Sequence, residues 1–259
     1  MTRFFIVLLI ACIGLHAHAD EKILSFHSDI QVAADGSMQV SETITVNAEG
    51  DRIQRGIYRD FPTDYRDRYG NRVKVAFEPQ EVSRDGRPEP WHSERLSNGT
   101  RVYFGSADVY LDSGEHTYVF RYRTTRQLGF FEDHDELYWN VTGNGWEFTI
   151  DQASASISLP ATVPPEQIKL EAYTGLQGGK GRNYESKLDS DGRGQFVTTR
   201  ALGPAQGLTI VESFPKGVVQ PPDSGQKLRW FVEDNRREGV LGAGLLVMLG
   251  FLYLQWRRV

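Results

Sequence analysis

The sequence predicts an all-β body, a β-sandwich, followed by one C-terminal transmembrane helix. Three observations carry this reading. Residues 26–47 alternate apolar and polar side chains on either side of Asp35-Gly36, the pattern of a hairpin with one buried face. Similar short alternating runs, bounded by Gly, Asn or Pro, recur as far as residue 214. Residues 239–256 carry no charge. Eighteen residues at ~1.5 Å each span roughly 27 Å, just enough for the ~30 Å hydrocarbon layer.

Residues 1–19 read as a secretory signal peptide. Arg3 supplies the positive end, residues 4–13 the apolar stretch, and Ala17 and Ala19 the small residues before a cut that leaves Asp20 first. Leu9-Ile10-Ala11-Cys12 also fits a lipobox, the less favoured alternative, since Cys12 comes early and residues 16–19 would then serve no purpose. The cut after Ala19 removes the single cysteine. Disulfide bonds and cysteine catalysis are then excluded from the mature chain.

The exported domain covers residues 20–214. Phe26, Ile30 and Val32 share one parity with Met38, Val40, Ile44 and Val46 across the turn, whereas Gln31, Gln39, Ser41, Thr43 and Thr45 are assigned to water. Val73, Val75 and Phe77 predict a strand that Pro79 ends. Asn98-Gly99 and Asp191-Gly192 each mark a further hairpin. Tyr118, Phe120 and Tyr122 predict another strand, as do Ala153, Ala155, Ile157 and Leu159, then Ile168, Leu170 and Ala172, and last Leu208, Ile210 and Phe214. No amphipathic helix stands out between residues 20 and 230. About ten short strands of this kind make a sandwich, either one or two packed sub-sandwiches divided near residue 150.

Residues 215–238, with Pro221-Pro222, are expected to be a stalk stiffened by polyproline geometry. The span at 239–256 has Arg236 and Arg237 before it and Arg257 and Arg258 after it, which nearly balances the positive-inside count. The export signal decides: the bulk of the chain lies outside the cytoplasmic (inner) membrane, in a single-pass arrangement, and residues 257–259 lie in the cytoplasm. Gly239 and Ala243 are spaced as a contact for another membrane helix. The net charge of −5 argues against nucleic acid.

The segment 130–146 holds the most suggestive chemistry. Asp133, Asp135 and Glu136 surround His134, and Trp139 and Trp146 follow. Paired carboxyls beside aromatic rings are what glycoside chemistry needs, and clustered acids suit a hard cation. The opposing reading is an acidic turn with both Trp rings in the core, and it is preferred. Arg55 and Arg59 flank Gly56 and are candidates to grip an anion or to pair with the acids at 132–136; the pairing is preferred. No residues have the spacing of a metal site, and no cofactor is implied. Two functions are therefore carried forward. The first is a binding or scaffold module of the bacterial envelope, with an envelope protein or another membrane helix as partner. The alternative is a carbohydrate-active or metal-dependent enzyme centred on residues 130–146.

Several segments in order resemble one family. They are the Asp35-Gly36-Ser37 hairpin, Arg55-Gly56-Ile57-Tyr58-Arg59-Asp60-Phe61-Pro62, Tyr118-Val119-Phe120-Arg121-Tyr122, and Leu137-Tyr138-Trp139-Asn140-Val141-Thr142-Gly143-Asn144-Gly145-Trp146. With the Leu159-Pro160 strand end and the span, this order resembles the bacterial predicted membrane proteins of domain of unknown function 2207. The resemblance implies an extracytoplasmic β-rich domain on a membrane anchor and no established activity. Family members continue past the first span with further membrane segments, whereas this sequence reads to Val259.

Overall fold

A computed structural model describes residues 20–66 and 69–258. The expected signal peptide, with Cys12, lies outside the described residues. The chain opens with the predicted hairpin, β1 (Lys22–Val32) and β2 (Met38–Ala48). Next come β3 (Ile57–Pro62), β4 (Asp64–Arg66), β5 (Arg72–Lys74), β6 (Phe77–Arg84) and β7 (Arg87–Pro88). The Asn98-Gly99 hairpin joins β8 (Trp91–Arg95) to β9 (Gly99–Phe104), and β10 (Gly114–Thr124) is the third long strand. There follow β11 (Leu128–Phe130), β12 (His134–Asn140), β13 (Ile150–Ser158) and β14 (Lys169–Gly175). The last strands are β15 (Tyr184–Leu188), β16 (Gly194–Thr198) and β17 (Gly207–Pro215). Two helices, α1 (Ser224–Asp234) and α2 (Arg236–Trp256), end the described chain.

The largest sheet has eight strands in the order β15-β16-β13-β1-β2-β10-β6-β7. Its inner face packs against a four-stranded sheet, β11-β12-β17-β14, and a three-stranded sheet, β3-β9-β8. Alternation decides which side chains fill the space between. Phe26 and Ile30 of β1, Val40 and Ile44 of β2, and Tyr118, Phe120 and Tyr122 of β10 are wholly buried. Phe61 of β3 meets them, stacked on Phe77 at 4.1 Å between ring centres and edge-on to Tyr122 at 5.4 Å. β1 pairs in parallel with β13, and β12 pairs with β17. The two halves divided at residue 150 therefore share both large sheets and one core.

Two expectations are corrected. Pro79 does not stop a strand: it lies within β6, where the pairing skips from Arg121 opposite Glu81 to Tyr122 opposite Pro79. A bulge at that point accommodates a residue with no N–H to donate. The segment 215–238 is not an extended stalk. Val219 is fully buried, and the Gln220 N–H donates to Ala34 O at 2.8 Å. Asp223 then caps α1, its carboxylate accepting from the Gln226 N–H at 2.7 Å. Helix α2 contains a stretch, Glu238–Trp256, that is long and apolar enough to cross a membrane, and none of it is buried against the body.

Candidate functional site

Two of the family-like segments, 55–62 and 137–146, meet at one cleft of about 890 Å³. Its walls are residues 58–65 at the free side of β3, the turn 140–146 after β12, and the glycine-rich loop 175–180 after β14. Tyr58, Tyr138 and Tyr173 present rings to it.

The turn is held by its own polar side chains. Asn140 Oδ1 accepts from the Gly143 N–H at 3.1 Å, and the Trp146 indole N–H donates to Thr142 O at 2.8 Å. The Asn144 amide reaches across the cleft floor, donating to Gly175 O at 3.2 Å and Ala205 O at 3.1 Å. Thr142 Oγ1 accepts from the Leu208 N–H at 3.1 Å, which ties the turn to β17. Gly143 has φ +74°, and a Cβ there would stand 2.8 Å from Arg59 Nη1. The site needs glycine both for its backbone angle and for the guanidinium beneath it.

That guanidinium belongs to a buried network. Arg59 Nε donates to Glu42 Oε2 at 2.9 Å, and Nη2 donates to Glu42 Oε1 at 3.1 Å and Val141 O at 3.0 Å. Nη1 donates to Asp60 O at 3.1 Å, and the Tyr122 hydroxyl donates to Glu42 Oε1 at 2.8 Å. Glu42 is wholly buried and Arg59 nearly so. Burial disfavours the charge on Arg59, but the adjacent Glu42 carboxylate outweighs it and raises the Arg59 pKa. One ion pair thus joins β2, β3, β10 and the turn after β12. At the cleft wall Arg101 grips Asp60 with a two-pronged contact, 2.6 and 2.8 Å, and lies 3.9 Å over the Tyr58 ring.

The residues singled out in the sequence are brought together only in part: Arg59, Trp139 and Trp146 meet at the cleft, and Asp133 and Glu136 flank His134 away from it. Arg59 pairs with Glu42 and not with the acids at 132–136; both β2 and β3 turn an odd-looking charge inward, and each satisfies the other. Arg55 is exposed and stacks on Tyr110, 4.2 Å from the ring centre, away from the cleft. Successive residues of β12 face opposite sides. Asp135 is fully buried and accepts from Lys216 Nζ at 2.5 Å, while Glu136 points outward and accepts from the Ser213 hydroxyl at 3.2 Å. Asp133 is exposed and bonded to His134 Nδ1 at 2.7 Å. Trp139 and Trp146 line the cleft as buried residues, 4% and 7% exposed. The acids therefore form no converging pair beside an open indole. No cluster of three metal-ligating side chains occurs among the described residues.

Sequence reasoning missed Glu42, Tyr122's hydroxyl role and Glu212. The signal was present: Glu42 shares the inward parity of Met38, Val40, Ile44 and Val46, and Glu212 that of Ile210 and Phe214. Glu212 is fully buried, and neither carboxyl oxygen has a hydrogen-bond partner. Burial pushes its pKa up to about 8, so it is neutral at pH 7.

The family described as predicted membrane protein (DUF2207), N-terminal domain, matches residues 22–214. This chain belongs to the DUF2207 family. The cleft and its buried ion pair both lie within the matched DUF2207 region. The uncharacterized protein YciQ of Escherichia coli K12 is 26% identical over 243 residues, covering 92% of this chain and 38% of YciQ. The chain thus spans well under half the length of that relative. Among solved structures, yeast LTA4 hydrolase in complex with bestatin matches at 13% identity over 74% of this chain and 28% of its own, with a TM-score of 0.48. The M1 zinc metallopeptidase from Deinococcus radiodurans matches at 13% identity over 73% and 42%, with a TM-score of 0.42. Likenesses at this level say nothing of activity. The DUF2207 match and α2 together make this a membrane protein with one candidate span.

Proposed function

We propose that the chain is a membrane-tethered binding module of the bacterial envelope, its β body outside the cytoplasmic membrane and its cleft taking an elongated, uncharged ligand. The cleft itself carries the reading. Tyrosine rings supply faces for apolar or stacking contact, and glycine-rich segments bring backbone donors and acceptors within reach of a ligand. Of the three charged side chains that line it, Arg59 is engaged by Glu42 and Asp60 by Arg101, which leaves Lys180 on the exposed glycine-rich loop. An uncharged partner, such as an extended peptide or a glycan strand, fits that chemistry better than an anion. The scatter of the acids at 132–136 supports binding over hydrolysis, which needs two carboxyls held across one bond. The orientation rests on the signal-like residues 1–19 followed by one candidate span among the described residues.

The test is photo-crosslinking in intact cells, with p-benzoylphenylalanine placed at Tyr138 in the cleft and, separately, at the exposed Arg121 on the outer face of β10. A discrete adduct at 138 that is absent at 121 is expected. No adduct at 138, or the same adducts at both positions, refutes the cleft as the binding site. Protease added to spheroplasts is expected to digest the β body; complete protection would refute the orientation.

A further inference from the structure

Helix α1 has two faces with different fates. Trp230 and Asp234, one turn apart, face the body. The Arg126 guanidinium lies 4.5 Å from the Trp230 ring centre and donates to both Asp234 oxygens, at 3.2 and 2.7 Å. The Asn235 side chain completes the clamp, accepting from the Arg72 N–H at 2.9 Å and donating to Arg72 O at 3.1 Å. The rotation of α1 relative to β5 is therefore fixed.

Leu228, Phe231 and Val232 stand at i, i+3 and i+4 and so share one stripe. That stripe points away from the clamped face, and its members are 63%, 50% and 56% exposed. Lys227 and Arg229, both exposed, flank it on either side. A narrow apolar stripe edged by long cationic side chains is the arrangement of a helix lying in a membrane surface, where the stems reach along the apolar boundary and the charged ends stay among the headgroups. What covers the stripe is indicated by the chain itself. Only Asn235 separates α1 from α2, the helix that is apolar enough to cross the bilayer. Ending three residues before the span, α1 cannot be far from the lipid surface.

We propose that α1 lies in the headgroup layer of the membrane that α2 enters, with Leu228, Phe231 and Val232 in lipid and Trp230 and Asp234 holding the β body. The helix then does more than connect. Because it is clamped to the body on one side and seated in lipid on the other, it sets the angle at which the body, and the cleft with it, stands on the membrane.

The experiment uses the full chain in nanodiscs of mixed phosphatidylcholine and phosphatidylglycerol, in a Cys12→Ser background. Single cysteines are introduced as Leu228→Cys, Phe231→Cys and, as the control off the stripe, Glu233→Cys, each labelled with bimane. All three positions are exposed, so the substitutions leave the clamp intact. Lipid carrying a doxyl quencher near the headgroup is expected to quench the labels at 228 and 231 several-fold more than the label at 233, with the reverse order for aqueous iodide. Equal iodide quenching at all three positions places the stripe in water and overturns the proposal. Labels at 228 and 231 shielded from both quenchers put the stripe against protein and overturn it equally.

Discussion

The ion pair under the cleft offers the sharpest test of how the fold is held. Arg59→Met deletes two hydrogen bonds to Glu42 and one each to Val141 O and Asp60 O. Glu42 is left with the Tyr122 hydroxyl alone, in a position with no exposure to water. Stranding one member of a buried pair costs about 3–5 kcal/mol, because its desolvation is no longer compensated. In a domain of this size each kcal/mol moves the melting temperature by about 2–4 °C, so a fall of roughly 6–20 °C is expected. Glu42→Leu strands Arg59 in the same way and is expected to cost as much. The double variant Glu42→Leu with Arg59→Met buries no charge, and replacing a buried pair with apolar groups of similar volume is often near neutral. The double variant is therefore expected to be more stable than the sum of the single changes by at least about 2 kcal/mol. Urea unfolding of the full chain in detergent, followed by tryptophan fluorescence, measures all four corners of this cycle. Additive single effects, or single changes below about 1 kcal/mol, would refute the view that each charge is buried only because of the other.

Two further predictions concern the same core. Glu212 titrates near 8 when folded against 4.5 ordinarily, so between those values the folded chain keeps a proton that the unfolded chain has released. Stability then falls as pH rises across that window, by up to about 1.4 kcal/mol per unit. Glu212→Gln should flatten the profile in melting curves recorded from pH 5 to 8.5, and equal slopes for the two proteins would exclude Glu212 as the cause. At the cleft floor, Gly143→Ala places a Cβ 2.8 Å from Arg59 Nη1 at φ +74° and should cost about 2 kcal/mol. Gly145→Ala meets nothing nearer than Asp60 Oδ2 at 4.0 Å and should stay within about 0.5 kcal/mol of the parent in the same urea assay.

What could be read in the sequence follows the range of the interactions involved. The β1/β2 hairpin is legible because alternation and the Asp35-Gly36 turn are local, and so are β8 with β9 and β15 with β16. The β12 side chains were legible in composition but not in direction, since a one-residue step carries Asp135 inward and Glu136 outward. Arg59 could be seen as a notable charge, yet its partners Glu42 and Val141 lie 17 and 82 residues away. The cleft joins residues 58–65, 140–146 and 175–180, and no local pattern announces that meeting. Helix α1 left a signal that went unused: Asp223 followed three residues later by Gln226 has the form of a cap, and Leu228, Phe231 and Val232 have the helical period. The two prolines before it drew attention to rigidity in place of the turn that follows.

The position of β1 carries a consequence for biogenesis. This strand is made first, yet it sits near the middle of the eight-stranded sheet, and one of its two neighbours is β13, made more than a hundred residues later. At ordinary elongation rates of about 5–20 residues per second, the wait is on the order of ten seconds. Throughout that interval the growing polypeptide carries a hairpin with a bare, pairing-competent flank, the kind of edge on which chains stick to one another. Newly made copies crowded together should therefore be most prone to aggregate before residue 158 has emerged, and a factor that shields β1 during synthesis would act at the moment of greatest risk.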